Sequence, residues 1–178
     1  MIAKTLRVTL VLFLVALTSL GCAERKTAFR HQYHRTKYSL DAKSLRTLSL
    51  YPSMDILGKG VDPQNSQAGE HVFSLTRDTP GMVVDSGPDF LRVSFREGGT
   101  GAMFITDLSK KHDDYYYLAT EEPGGALQKL DDAQDGVLRQ DGVEFKIVSG
   151  NASHLLVDPR ELQELFEAVS VKVEGRTE

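Results

Sequence analysis

Cysteine is nearly absent from this chain, since Cys22 is the only one among 178 residues. No intramolecular disulfide can form, and the residues after Cys22 offer neither a cysteine nucleophile nor a cysteine-based zinc site. Tryptophan is absent, which disfavours carbohydrate recognition by ring stacking. The apolar run from Val8 to Leu20 has 13 residues, too few for a comfortable transmembrane helix.

Recognisable catalytic and metal-binding motifs are also missing. The chain has no Gly-x-Ser-x-Gly sequence, and Glu97 to Gly101 lacks the Lys-Ser/Thr pair of a phosphate-binding loop, so a hairpin turn is the better interpretation. Asp131 to Gly136 begins like a calcium loop, but Ala133 and Gly142 stand where an EF-hand needs oxygen ligands. We therefore predict no catalytic residue, no cofactor and no metal site.

The first 22 residues have the layout of a secretory signal. Lys4 and Arg7 precede the apolar run, and Gly21-Cys22 follows it directly. The sequence Ser19-Leu20-Gly21-Cys22 resembles the lipobox of bacterial lipoproteins, with its first two residues in the reverse of the usual order. The resemblance implies that residues 1–21 are a signal peptide and that Cys22 is lipidated and becomes the N-terminus. The alternative is an ordinary signal peptide cleaved near Gly21.

Lipidation at Cys22 implies a protein of the cell envelope whose first partner is the membrane. Each methylene buried in a bilayer contributes about 0.8 kcal/mol, so the several acyl chains of a lipoprotein give a durable anchor without a membrane-spanning helix. By the same resemblance, Ala23 rather than Asp after the cysteine favours the outer membrane.

Charge divides the remaining chain in two. Residues 23–37 hold five Lys or Arg against one acidic residue, whereas residues 38–178 hold 14 Lys or Arg against 24 Asp or Glu. We predict a basic tether over residues 22–37, which either binds lipid phosphates or acts as a solvated linker, and a single domain over residues 38–178. The acidic balance of that domain argues against a nucleic-acid partner.

Apolar and polar residues alternate over much of the domain. The clearest segments are Phe90 to Arg96 and Val143 to Val148, and turns rich in glycine and aspartate separate short runs of this kind. The pattern predicts a mainly β fold, either an antiparallel sandwich or a small barrel. We also expect a short helical turn capped by Ser39 before the strands and a loop from Gly58 to Glu70.

One C-terminal helix is predicted near residues 159–168, packed on the sheet. Asp158 suits its N-cap and Pro159 its first position. Apolar residues form one stripe and glutamates the other: Leu162, Leu165, Phe166 and Val169 against Glu161, Glu164 and Glu167. The segment from Val169 to Val173 is then predicted to form a last strand.

The densest aromatic cluster is Tyr115-Tyr116-Tyr117. A strand places Tyr115 and Tyr117 on one face and Tyr116 on the other. The pair Tyr115 and Tyr117 is our candidate ligand or partner surface, and half-buried cross-strand packing is the alternative.

Four segments, Leu45 to Ile56, Leu91 to Phe95, Tyr115 to Leu118 and Asp141 to Phe145, resemble a loose group of uncharacterised β-rich envelope lipoproteins, with Pro52 a departure. The resemblance implies a β-rich fold and an envelope location, and it implies no activity. The sequence thus favours a non-enzymatic binding or assembly module with a protein partner in the envelope. The alternatives are a β-barrel carrier of a small apolar ligand and a hydrolase without a recognisable motif.

Overall fold

The computed structural model describes residues 26–61, 71–109, 113–122, 124–131, 136–140 and 143–174. The predicted signal peptide and Cys22 lie outside them. The described residues form twelve strands: β1 Thr27–Ala28, β2 Ser49–Pro52, β3 Ile56–Val61, β4 His71–Leu75, β5 Gly81–Ser86, β6 Phe90–Ser94, β7 Ala102–Ile105, β8 Tyr117–Glu121, β9 Leu127–Lys129, β10 Val137–Gln140, β11 Val143–Ser149 and β12 Leu155–Val157. They also form a π-helical turn, His31–Thr36, and two α-helices, α1 Ala42–Leu45 and α2 Pro159–Glu174.

The strands make two antiparallel sheets. The large sheet has the order β1-β12-β2-β5-β6-β7-β8-β9, and the small sheet has the order β10-β11-β3-β4. Among the described residues the large sheet begins and ends on different strands, so the architecture is two-layered and not a closed barrel. The mainly β, antiparallel prediction is confirmed, and the sandwich describes it better than the barrel.

One hydrophobic core lies between the layers. Alternate residues of the large sheet, such as Leu50, Leu91 and Leu155, are completely buried, as strand geometry requires of the inner face. Ile56 and Ile147 of the small sheet belong to the same core. Leu40, Leu45 and Leu162 extend it towards the two helices.

The glycine-rich segment between β6 and β7 is the predicted hairpin turn. Gly98 and Gly101 have φ angles of 69° and 81°, which side chains with a Cβ rarely adopt. A Cβ on Gly101 would also lie 2.9 Å from the carbonyl oxygen of Val93. These glycines serve the turn, and the phosphate-binding interpretation is not needed to explain them.

The predicted tether is wrong from residue 26 onward, because residues 26–37 belong to the fold. Thr27 and Ala28 pair with Val157 and Leu156 of β12, so the segment adds an edge strand to the large sheet. The ring of Phe29 is completely buried in the core. The basic composition of this segment favours a solvated linker. The burial of Phe29 and the pairing of β1 with β12 instead attach the segment to the fold.

The predicted first helical turn and the following loop also need correction. Asp41, not Ser39, caps α1, because its side chain accepts a hydrogen bond from the Ser44 amide at 2.7 Å. Ser39 instead has a positive φ of 49°. β3 continues to Val61, so the predicted loop from Gly58 starts too early, and its remainder lies outside the described residues.

Helix α2 begins as predicted. The carboxylate of Asp158 accepts from the Arg160 amide at 2.8 Å, Leu162 is buried, and Leu165 packs against the core. Phe166 does not dock fully, because it is 46% exposed.

Two further expectations about this region are wrong. Glu161 is not purely solvated, since its carboxylate accepts from the Ser49 amide at 2.7 Å. The helix continues to Glu174 where a last strand over residues 169–173 was predicted. No glycine or proline interrupts residues 160–174, so the chain offers no signal that would end the helix there.

Candidate ligand and partner surface

The three consecutive tyrosines alternate as the sequence predicted. Tyr116 is completely buried in the core, whereas Tyr115 and Tyr117 are half-buried on the other side of the sheet. Tyr115 bridges to Arg30, and Tyr117 bridges to His154 at the start of β12. These pairings bring residues that are distant in sequence onto one outer face.

Tyr115, His154 and Tyr117 form one aromatic cluster. The His154 ring centre lies 5.4 Å from that of Tyr115 and 5.9 Å from that of Tyr117, and the two tyrosine centres are 6.0 Å apart. Burial lowers the pKa of His154 despite the opposing field of Asp113. The cluster is therefore an uncharged aromatic surface near neutral pH.

Each neighbouring cation lies over a tyrosine ring. The Lys129 ammonium is 3.3 Å from the Tyr117 ring centre, the Arg30 guanidinium 5.3 Å from that of Tyr115, and the Lys26 ammonium 3.7 Å from that of Tyr51. Such contacts stabilise both partners modestly. We call this surface the tyrosine face; its residues are Lys26, Arg30, Tyr51, Tyr115, Tyr117, Lys129, His154 and Leu156.

An acidic group offsets each of these cations. Lys26 lies 3.1 Å from Asp78, Lys129 lies 3.8 Å from Asp113, and Arg30 lies 2.6 Å from Asp114. The tyrosine face is thus close to neutral, which distinguishes it from the acidic domain as a whole.

A pocket of about 400 Å³ opens beside Tyr117. Its lining is Ile105, Thr106, Asp107, Asp113, Tyr117 and Lys129. Thr106 is 6% exposed, and its hydroxyl has no hydrogen-bond partner among the described residues. A buried polar group without a partner costs free energy, and the Thr106 hydroxyl oxygen is not accessible to solvent. The pocket also carries both signs of charge, which suits a polar ligand.

The Tyr117 hydroxyl is not arranged as a reactive group. It donates to a carboxylate oxygen of Asp113 at 2.6 Å, and burial, together with that bond, raises its pKa. The phenol therefore stays protonated and can offer a ring and a hydroxyl to a ligand.

Asp114 clamps the N-terminal segment directly beneath this face. Its carboxylate accepts from Arg30 Nε at 2.7 Å and from the Gln32 amide at 2.8 Å, and its carbonyl oxygen accepts from the His31 amide at 2.8 Å. Burial raises the pKa of Asp114, but the Gln32 and Arg30 bonds more than offset it, so the pKa lies below the ordinary value. Its negative charge is held in place and stays ionised near neutral pH.

The two histidines of the segment are likewise structural. His31 Nδ1 lies 2.7 Å from the Tyr116 hydroxyl, and His34 Nδ1 accepts from the Arg30 amide at 2.9 Å. Burial and the nearby Arg30 charge lower the pKa of His34 to about 4. Within the described ranges, neither ring is bonded to a serine hydroxyl as in a hydrolase.

A second cavity, of about 460 Å³, lies where the small sheet meets the end of β6. Phe73, Phe95 and Phe145 supply much of its wall, and His71, Arg96 and Gln140 supply polar atoms. The Nε2 atom of His71 is buried without a partner among the described residues. This crevice is open between the layers rather than enclosed in a barrel.

Nowhere in the part of the chain that the structure describes do three or more metal-ligating side chains come together. His112, and residues 132–135 of the segment that begins like a calcium loop, lie outside that part. None of the helices that the structure describes has the length and hydrophobicity of a membrane span. Comparison with known protein families, with curated proteins and with solved structures finds no match for this chain.

Sequence reasoning found Tyr115 and Tyr117 but missed the groups around them. His154, Lys129 and Arg30 reach the face through pairing of distant strands, for which a single sequence carries no signal. Thr106 follows an alternating strand, yet its lack of a hydrogen-bond partner emerges only from three-dimensional packing.

Proposed function

We propose that this chain is a lipid-anchored protein of the bacterial cell envelope and that its domain is a non-enzymatic binding or assembly module. The lipobox-like sequence ending at Cys22 supports the anchor, and Ala23 favours the outer membrane. The observation that carries the binding role is the tyrosine face, where the clustered rings of Tyr115, His154 and Tyr117 lie beside a pocket that carries both signs of charge. Aromatic rings with one polar atom are typical of recognition surfaces.

The chemistry of this face favours recognition over reaction. The Tyr117 hydroxyl is engaged by Asp113, Lys129 lies over a ring, and His154 is held between two tyrosines. A general base or nucleophile would instead be within reach of a proton that it abstracts and poised near the working pH.

The anchor is tested by replacing its cysteine. Cys22→Ser should abolish both incorporation of a palmitate analogue and sedimentation with membranes. The matched control, Ser19→Ala, keeps Cys22 and should keep both properties. Unchanged membrane sedimentation of Cys22→Ser would contradict the proposal.

The binding role is tested by photo-cross-linking in cells. A photoreactive phenylalanine analogue at position 115 should cross-link to an envelope component. The same analogue at position 72, on the exposed side of β4, should not, because Val72 is 60% exposed and distant from the tyrosine face. Equal cross-linking from both positions would contradict a specific surface.

The crevice between the sheets favours a second candidate, a carrier of a small, largely apolar ligand. Its phenylalanine walls and the unpartnered His71 nitrogen match a ligand with one polar end. Native mass spectrometry of the purified Cys22→Ser protein decides this point. A bound small molecule that is lost in Val143→Trp would favour the carrier, and an empty wild-type crevice would oppose it.

A further inference from the structure

The first residue that the structure describes lies on the tyrosine face. Lys26 is the first described residue, and its ammonium lies over the Tyr51 ring and beside Asp78. Residues 23–25 alone separate it from Cys22. Because an extended chain spans at most about 3.6 Å per residue, the Cα of Cys22 lies within about 14 Å of the Cα of Lys26.

This short reach restricts the orientation of the domain. A flexible tether to residue 37 would have allowed the domain to present any side to the membrane. The structure removes that freedom, since β1 and the buried Phe29 attach the segment to the sheet. Acyl chains on Cys22, which rest on the proposed function above, would therefore hold the Lys26 end of this face close to the lipid headgroups.

The face is continuous from this entry point to the Tyr117 pocket. Leu156 pairs with both Ala28 and Tyr51, and its side chain is half-buried on the outer side, opposite to the buried Leu155 and Val157. Arg30 lies four residues beyond Lys26, about 13 Å along an extended strand. Beyond Arg30 lies the Tyr115 cluster, to which it bridges.

The composition of the face suits the headgroup layer. Tyrosine is enriched at membrane–water interfaces, where its ring meets the apolar region and its hydroxyl stays in water. Lysine and arginine can cover apolar rings with their stems while their charged ends reach phosphates. The paired charges keep the face near neutral, whereas residues 38–178 have a clear acidic excess. Anionic lipids therefore repel this face less than the remainder of the surface.

We propose that the tyrosine face rests on the phospholipid headgroups of the membrane in which Cys22 is anchored. The rings of Tyr51, Tyr115 and Tyr117 lie at headgroup level. The pocket beside Tyr117 opens on the same face, where a headgroup can enter it.

Single-cysteine labelling tests this orientation cleanly, because lipidation consumes the only native thiol. Leu156→Cys places a fluorophore on the tyrosine face, and Tyr51→Cys provides a second position there. Val72→Cys, on the outer side of the small sheet, is the matched control. The full lipidated proteins are reconstituted in vesicles of phosphatidylethanolamine and phosphatidylglycerol that contain a headgroup-spin-labelled lipid. Circular dichroism checks that each variant folds.

The expected result is several-fold stronger quenching at positions 156 and 51 than at position 72. Equal quenching at all three positions, or stronger quenching at position 72, in protein that sediments with the vesicles would overturn the orientation and leave the anchor intact. Unlabelled wild-type protein that fails to sediment would contradict the anchor, and the orientation with it. A position-156 probe shielded from aqueous iodide in cell membranes, but not in lipid vesicles, would assign the face to a protein partner and overturn the lipid proposal.

Discussion

The N-terminal segment, residues 26–37, supplies the edge strand β1 of the large sheet, and helix α2 lies across a groove from it, yet their sequences suggest opposite roles. The segment is basic and lacks an apolar period, and it holds a completely buried phenylalanine, Phe29. Helix α2 has a regular apolar stripe, and its one phenylalanine, Phe166, is 46% exposed. A groove lined in part by Thr27, His34 and Leu162 lies between the two.

The difference shows what hydrophobic period measures. A regular spacing of apolar residues indicates a helix or strand that buries one face along its length. The spacing predicted α2 correctly because Leu162 and Leu165 face the core. It cannot detect a short segment held by one buried ring and one buried carboxylate. Asp114 lies 85 residues after Phe29 in the sequence, and only the fold brings its carboxylate to the segment that holds Phe29.

The largest expected effect is at the buried phenylalanine of the segment. Phe29→Ala should lower the free energy of unfolding by about 3–5 kcal/mol, because it removes a fully buried ring that stacks on Tyr116 and His34. Urea denaturation of the purified Cys22→Ser protein measures the change. A loss below about 1 kcal/mol would show that Phe29 is not buried and that residues 26–37 are a solvated linker.

The buried carboxylate should have the next largest effect. Asp114→Asn should lower the free energy of unfolding by about 3 kcal/mol, because it weakens the Arg30 and Gln32 bonds and removes the buried negative charge that faces the Arg30 guanidinium. Asp113→Asn is the matched control on the adjacent residue, whose side chain is 39% exposed, and should cost less than about 1 kcal/mol. Equal losses for the two variants would show that the clamp is not the source of stability.

The sequence predicted most of the strands because their patterns are local. Leu91 and Val93 alternate with polar neighbours, and both are buried as expected. Pairing is non-local, so the contact of Tyr115 with Arg30 and of Tyr117 with His154 could not be predicted, and the extent of the candidate surface remained unknown. Because strand pairing is non-local, the sequence also carries no sign that residues 26–37 pair with β12, and they were wrongly predicted to be a tether.

A pH titration should sharpen the comparison, since the segment carries a buried histidine. The pKa of His34 is lowered to about 4 in the fold and returns to its ordinary value of about 6.5 on unfolding. Between these values the unfolded chain binds more protons, so stability is full above pH 6.5 and is lost as the pH falls towards 4. His34 should account for about 2 kcal/mol of the loss between pH 7 and pH 5.

The variant His34→Gln isolates this effect, because glutamine can still accept from the Arg30 amide but does not titrate. Its stability should fall less than that of the wild type over the same range. His31 and His154, whose pKa values are also lowered, contribute equally to both proteins. Parallel pH profiles for the two proteins would contradict the assignment.

The smallest effect should be at the phenylalanine of α2. Phe166→Ala should cost about 1 kcal/mol, because the ring is half exposed and its described aromatic contact is an edge contact with Tyr38, centre to centre 5.1 Å. Full burial would have predicted about 3–5 kcal/mol. Urea denaturation measures this cost, and Glu164→Ala, on the exposed side, should cost almost nothing in the same experiment. A cost for Phe166→Ala equal to that of Phe29→Ala would erase the contrast between the two regions.

Hydrogen exchange at two amides tests most directly whether residues 26–37 are part of the fold. The Phe29 amide donates to the Leu155 carbonyl at 2.8 Å, and the Leu155 amide donates to the Tyr116 carbonyl at 2.9 Å. In the purified Cys22→Ser protein, both amides should exchange only with global unfolding, at free energies of opening that agree within error. If the Phe29 amide exchanges as fast as an unstructured peptide while the Leu155 amide is protected, residues 26–37 are a flexible tether and not part of the fold.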